Sequence, residues 1–154
     1  MFTNELDSSI KKVREYLQNG QFEDAETVLD AIVIKWPDEL EVLNLSGVVR
    51  FRTGAYQSAA KAFTRYLSLH PKNVYVLNNL ALCYQKTHNY EDAKTALERA
   101  IKIDRTYINS YLNLMSITFS EKDYETTIRI FDETQNLELG LKCHIIAAAA
   151  YKAL

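Results

Sequence analysis

Four aromatic residues stand 34 positions apart along the chain: Phe22, Tyr56, Tyr90 and Tyr124. Three residues after each comes a small side chain, Ala25, Ala59, Ala93 and Thr127, and four further on a large apolar one, Leu29, Phe63, Leu97 and Phe131. Steps of three and four place these residues on one face of a helix. Gly20 and Gly54 keep the same interval, as do Pro37 and Pro71. A period of this length marks stacked supersecondary units, each of which buries its apolar face only against its neighbours. The stretch from Leu40 to Pro71 shows the unit most plainly: two amphipathic helices joined at Thr53-Gly54 and closed by proline.

The period divides the chain into repeats at about 6–39, 40–73, 74–107 and 108–141, followed by one more helix over 142–154. In the first repeat, Leu6, Ile10, Val13, Tyr16 and Leu17 form the apolar face of the first helix, and Asn19-Gly20 ends it. Phe22, Ala25, Val28, Leu29, Ile32 and Val33 do the same for the second, which Trp36-Pro37 closes. The last helix, LKCHIIAAAAYKAL, is unusually apolar for a helix that ends an array.

These positions resemble the tetratricopeptide repeat family. Its pattern of a large apolar residue, Leu-Gly and Tyr in a first helix, Gly and Tyr at the turn, then Ala, an aromatic, Ala and a closing Pro, is met by Leu43, Gly47, Gly54, Tyr56, Ala59, Phe63 and Pro71. It is met again by Leu77, Leu80, Ala81, Tyr84, Tyr90, Ala93, Leu97 and Ala100. The resemblance implies an all-α fold, a right-handed α-solenoid of antiparallel helix pairs, with about four repeats and a C-terminal helix in one array over 1–154. Repeat 2 departs from the pattern at Ser46, Arg50 and Tyr66, and the small Ser46-Gly47 surface is expected to make room for Tyr66. Repeat 3 has His88 at the turn and Arg105 for the closing proline. Repeat 4 departs at Thr118, Lys122, Thr127 and Thr134. The last helix resembles a fifth first helix, with Ala148 and Tyr151 in the Gly and Tyr slots.

Composition narrows the function classes. Net formal charge is −2, which argues against a protein built to hold phosphate backbones. Only two cysteines occur, Cys83 and Cys143, and neither lies in a paired motif, which favours a reducing compartment. The N-terminal residues show no signal-peptide pattern, and the longest apolar run is too short to span a bilayer, so a cytoplasmic location is expected. His70, His88 and His144 have no partners at ligand spacing, and no phosphate loop or nucleophile elbow occurs. Acidic pairs such as Glu23-Asp24 and Glu91-Asp92 fall in the first turns of second helices, where the helix dipole favours them. Tyr16, Tyr56, Tyr84, Tyr90 and Tyr124 occupy core slots. We therefore expect no catalytic residues, no cofactor and no metal.

In the family, the first helices line the concave face and partner peptides lie there. The equivalent positions form rows: Asn44, Asn78 and Leu112; Leu45, Asn79 and Asn113; Glu41, Tyr75 and Asn109; Val48, Leu82 and Ser116, with Arg52 and Lys86 near the edge. A carboxamide both donates and accepts, so such a row can hold a peptide backbone. The resemblance thus points to Asn44, Arg52, Tyr75, Asn78, Asn79, Lys86, Asn109 and Asn113 as peptide-binding residues, in the manner of the asparagine ladder of some family members. The slots of the family's carboxylate clamp hold Ile10, Arg14, Leu45, Tyr75 and Asn79. Only Arg14 is basic, so this type of co-chaperone is not expected.

The expected function is a non-catalytic scaffold or adaptor whose partner is a protein or peptide, with no nucleic acid and no membrane insertion. Two alternatives stand beside it. One is a self-assembling protein, a homodimer through Ile146, Ala150 and Leu154 of the last helix. The other is a repeat arm of a larger enzyme such as a glycosyltransferase.

Overall fold

The protein was analysed as a computed structural model that describes residues 2–134, 137 and 140–154, with the backbone alone at 2–4. Every regular element among the described residues is an α-helix. They fall into two compact units, Met1–Pro71 and Lys72–Leu154.

The first unit holds α1 (Phe2–Gln18), α2 (Phe22–Lys35), α3 (Leu40–Arg52) and α4 (Tyr56–Leu69). Each helix packs on the next, and α1 also meets α3. The connections are a few residues long, which turns each helix back along its predecessor. Ile10, Val13, Ala25, Leu29, Ile32, Val42, Leu45 and Val49 are buried together, with Leu6, Tyr16, Val28 and Trp36 packed around them. The second unit holds α5 (Val74–Lys86), α6 (Tyr90–Ile103), α7 (Ile108–Ser120), α8 (Tyr124–Glu133) and α9 (Leu141–Ala153). Consecutive helices pack again, and α7 also meets both α5 and α9. Its core is built on Leu97, Tyr111, Leu114, Met115 and Ile117, closed by Cys143 and Ala147 of α9.

The four turns inside the repeats share one geometry. Gly20, Gly54, His88 and Lys122 all have positive φ, at 72°, 84°, 59° and 63°. The next residue's N–H then reaches back to the preceding helix: Gln21 to Tyr16, Ala55 to Arg50, Asn89 to Tyr84 and Asp123 to Thr118, at 2.8–2.9 Å. This is the left-handed helix cap that glycine makes without strain. His88 and Lys122 adopt it against the preference of their side chains.

The five core-slot tyrosines are half-buried. Tyr56 packs on Phe51 at 5.3 Å and Tyr124 on Phe119 at 5.4 Å between ring centroids, while Tyr84 and Tyr90 lie against the core of the second unit.

Repeat 2 accommodates its departures through Gly47 and Arg50. A Cβ on Gly47 would lie 2.3 Å from the ring of Phe63, so the small surface of α3 at Gly47 accommodates Phe63. Phe63 is 1% exposed as a result. Arg50, in the slot of an aromatic, donates to Asp30 at 3.0 Å and to the Ser46 hydroxyl. A polar chain from α2 to α3 thus replaces an aromatic contact. In repeat 4 the unusual Thr118 and Thr127 are both buried and share a hydrogen bond of 2.7 Å between α7 and α8.

Candidate functional site

The first helices of the repeats in the second unit, α5 and α7, lie side by side with α9 and form one face. At its centre is Asn78. Its amide donates to the Val74 carbonyl at 2.9 Å and to the Ser110 hydroxyl at 2.8 Å, and its oxygen accepts from Asn113 at 3.1 Å. Asn78 is 4% exposed. It pins α5 to α7, both its N–H groups are used and it is enclosed, so its expected role in the open groove does not hold. The reason is physical: a carboxamide buried between two helices satisfies its own hydrogen bonds first.

Asn113 gains from this. One of its N–H groups goes to Asn78, which fixes the side chain, and its oxygen and second N–H have no partner among the described residues. Asn79 is half-buried, and among the described residues its carboxamide has no hydrogen bond. Towards the start of the helices, the Tyr75 ring, 63% exposed, stands edge-on to Tyr107 at 5.0 Å. Asn109, exposed, donates to the Tyr107 hydroxyl at 3.3 Å. Tyr107, which the sequence reading did not single out, therefore joins two residues that it did. Lys86 is exposed in the last turn of α5.

On the other side of Asn113 a groove of about 280 Å³ opens between α7 and α9, lined by Leu112, Asn113, Ser116, Lys142, Ile145 and Ile146. Ile146 is half-buried against the core, and Ile145 is exposed. Ala150 is fully buried on the stripe Cys143, Ala147 and Ala150 that faces into the unit, so it cannot serve self-association as expected. Leu154 is 67% exposed. The exposed apolar residues of α9 are instead Leu141, Ile145 and Tyr151, besides Leu154.

The remaining expected residues lie in the first unit. Asn44 is half-buried on α3, and Arg52 is exposed at its end. Leu45 is core, 6% exposed, although its equivalent Asn113 is not. Arg14, the one basic residue in the clamp slots, is paired with Glu41.

Charge is unevenly placed in the second unit. Helices α5, α7 and α9 contain no Asp or Glu; their formal charges are Lys86, Lys142 and Lys152, exposed and without ion pairs among the described residues. Glu91, Asp92 and Glu98 of α6 and Glu125, Asp132 and Glu133 of α8 stand beside basic residues of the same helices, and Asp104, Glu121 and Asp123 lie in the turns. Between α6, α7 and α8 a second cavity of about 480 Å³ carries mixed charge, with Lys94 tied to Glu91 at 2.6 Å and Glu121 at 3.1 Å. Those two carboxylates, Glu91 foremost, raise the Lys94 pKa. The two thiols lie behind the face. Burial pushes Cys83 up to about 12 and raises Cys143, so neither is a thiolate at neutral pH. Among the described residues, no group of three or more His, Cys, Asp or Glu is placed to hold a metal. None of the described helices is long and apolar enough to cross a membrane.

Comparison with known proteins agrees with this architecture. The human serine/threonine-protein phosphatase 5 is 29% identical over 87 residues, 52% of this chain and 17% of that protein. A DnaJ homolog subfamily C member 7 homolog of Dictyostelium discoideum is 23% identical over 128 residues, 80% of this chain and 24% of that protein. The chain thus spans a quarter or less of the length of these curated relatives. Among solved structures, MamA superposes with a TM-score of 0.85 at 18% identity, over 96% of this chain and 81% of that one. This likeness establishes the all-α solenoid fold. Two tetratricopeptide repeat models match residues 10–74 and 50–116, overlapping across the repeats whose turns and core slots are described above. The chain belongs to the tetratricopeptide repeat family.

Proposed function

We propose that this chain is a protein-interaction scaffold that binds a peptide segment of its partner on the face formed by α5, α7 and α9. The observation that carries this reading is the Asn113 carboxamide, held in place by Asn78 and left, among the described residues, with one donor and one acceptor oxygen. A peptide unit offers the matching acceptor and donor. Asn79 adds a second such group, and Tyr75 with Asn109 adds a polar aromatic end to the same face. A fixed binding group loses less rotamer freedom on association than a mobile one. We assign no catalytic role to this face, and place the protein in the reducing cytoplasm, which suits its two free thiols.

The test is affinity capture with the full chain and with its Asn79→Ala/Asn113→Ala variant, both checked for helix content. Partners held by the parent and lost by the variant support the reading. Equal capture by both removes the carboxamides from it.

A second reading, self-association through α9, is favoured by its exposed Leu141, Ile145, Tyr151 and Leu154. Light scattering across a concentration range tests it, and a monomer throughout excludes it. That the chain is an arm of a longer enzyme is a third reading, suggested by the small share of phosphatase 5 that it matches.

A further inference from the structure

We propose that the crevice between α6, α7 and α8 is a second docking surface, which takes an amphipathic helix of a partner that presents an apolar side chain beside a basic and an acidic residue one turn apart. It is independent of the peptide-binding reading above, because it uses the opposite side of α7. Tyr111, Leu114 and Thr118 line the crevice, while Leu112, Asn113 and Ser116 line the groove beside α9. At about 100° per residue these two sets point in opposite directions, so both sites can be filled at once. A scaffold that joins two partners needs two such surfaces.

Three observations carry it. The first is the floor. Tyr111, Leu114 and Ile130, all buried, give a crevice of about 480 Å³ an apolar base. The second is a set of charges left over. Of those that line the crevice, Lys94 is held by Glu91 and Glu121, and Asp123 caps α8 by accepting from the Thr126 N–H at 3.1 Å. Glu98 and Lys102 on α6, and Arg129 and Glu133 on α8, are exposed and have no ion pair among the described residues. Each wall thus offers one charge of either sign, four residues apart, in opposite order along the two helices. Four helical residues rise about 6 Å, and a partner helix presents its own i and i+4 side chains at that interval. A ligand of a single sign would meet as much repulsion as attraction. The third is the absence of carboxamides: among the described residues the lining contains no Asn or Gln. A strand laid there would find no groups that pair its N–H and C=O in both senses, whereas a helix brings its own backbone bonds. The 480 Å³ holds a few side chains and not a whole helix about 10 Å across, so the partner lies along the rim with one face turned in.

The experiment is selection, on the full-length protein, from a display library of helical miniproteins randomised on one exposed helix face, followed by fluorescence anisotropy with the enriched sequences. The expected binders carry Leu, Ile, Met or Phe beside a basic and an acidic residue four positions apart. Arg129→Glu and Glu98→Lys should each weaken them roughly tenfold, because reversal turns an attraction into a repulsion, and added salt should weaken them as well. Binding to the Arg129→Glu protein should return when the acidic residue of the binder is changed to Lys. The Asn79→Ala/Asn113→Ala variant should bind them as the parent does. Both reversed side chains are exposed, and circular dichroism checks that the variants keep their helix content. Binders indifferent to both reversals but lost in the double Asn variant would overturn this proposal and leave the peptide-binding reading standing. Binders that tolerate proline at the centre of their helix would overturn the helical form of the partner. Dimerisation of the protein itself that Arg129→Glu abolishes would give the crevice to a second copy instead. Failure to find any binder that distinguishes the parent from the Arg129→Glu protein would overturn the docking surface outright.

Discussion

The two units share one architecture and treat polar residues in opposite ways. In Met1–Pro71 the departures from the repeat pattern are resolved outward: Arg50 leaves the aromatic slot to bond Asp30, whose side chain is 61% exposed. In Lys72–Leu154 they are resolved inward: Asn78 is buried with Ser110 and Asn113, and Thr118 with Thr127. The first helices differ as well. Those of the first unit carry Glu5, Asp7, Glu15 and Glu41, and those of the second carry no carboxylate. The difference teaches that a repeat fold sets where helices lie and leaves each unit free to choose its surface chemistry. An inward polar network ties α5 to α7 in the second unit just where the proposed binding groups sit, while the first unit relies on packing at Gly47 and Phe63.

That contrast can be broken unit by unit, because each has its own reporter. Trp36, the only tryptophan, packs against the core of the first unit, and both cysteines are in the second. The largest effect is expected at Gly47. Gly47→Ala drives a Cβ into the buried Phe63 ring and should cost about 2–3 kcal/mol, seen in urea melts by Trp36 fluorescence. A loss under half of that would show that the first unit relies less on packing than its geometry indicates. Next comes Asn78→Ala, which leaves the Ser110 hydroxyl and Asn113 amide short of a partner. It should cost about 2 kcal/mol and quicken reaction of Cys83 and Cys143 with a thiol reagent.

The threonine pair sharpens the same point. Thr118→Val or Thr127→Val alone should each cost about 1–2 kcal/mol, and the double variant less than their sum, since both hydroxyls are then gone together. A purely additive cycle would argue against the shared bond. His88→Gly and Lys122→Gly should each raise stability by about 0.5–1 kcal/mol, measured by thermal melting, by relieving left-handed backbone. The smallest effect belongs to Asp30→Asn, at most about 0.5 kcal/mol, because that ion pair is exposed and Arg50 keeps its bond to Ser46. Salt should mimic it.

Much of this architecture was legible from local chemistry. The interval of 34 located the turns at Gly20, Gly54, His88 and Lys122, and the aromatic and small residues on one helical face located the pairs that pack. Less of the site was legible. Asn44, Asn78 and Leu112 read as one row, yet Asn44 and Leu112 are half-buried while Asn78 is enclosed. Ala150 and Leu154 are one turn apart, and one is buried while the other is exposed. Helical periodicity resolves direction only to within about a third of a turn, too coarse to separate a groove wall from a helix interface. The absence of Asp and Glu from α5, α7 and α9 was present in the letters, but it gains meaning only once the three helices are known to be neighbours.

The sequence by itself determined the repeat, its turns and the all-α class. These follow from hydrophobic period, turn residues and proline, which act over a few residues at a time. Only the tertiary structure decided that Gly47 makes way for Phe63, that Asn78 spends its hydrogen bonds inside, and that Asn113 and Lys142 flank one groove. Each of those outcomes depends on which atoms of different helices come within a few ångströms, and close packing decides that after every helix has been placed.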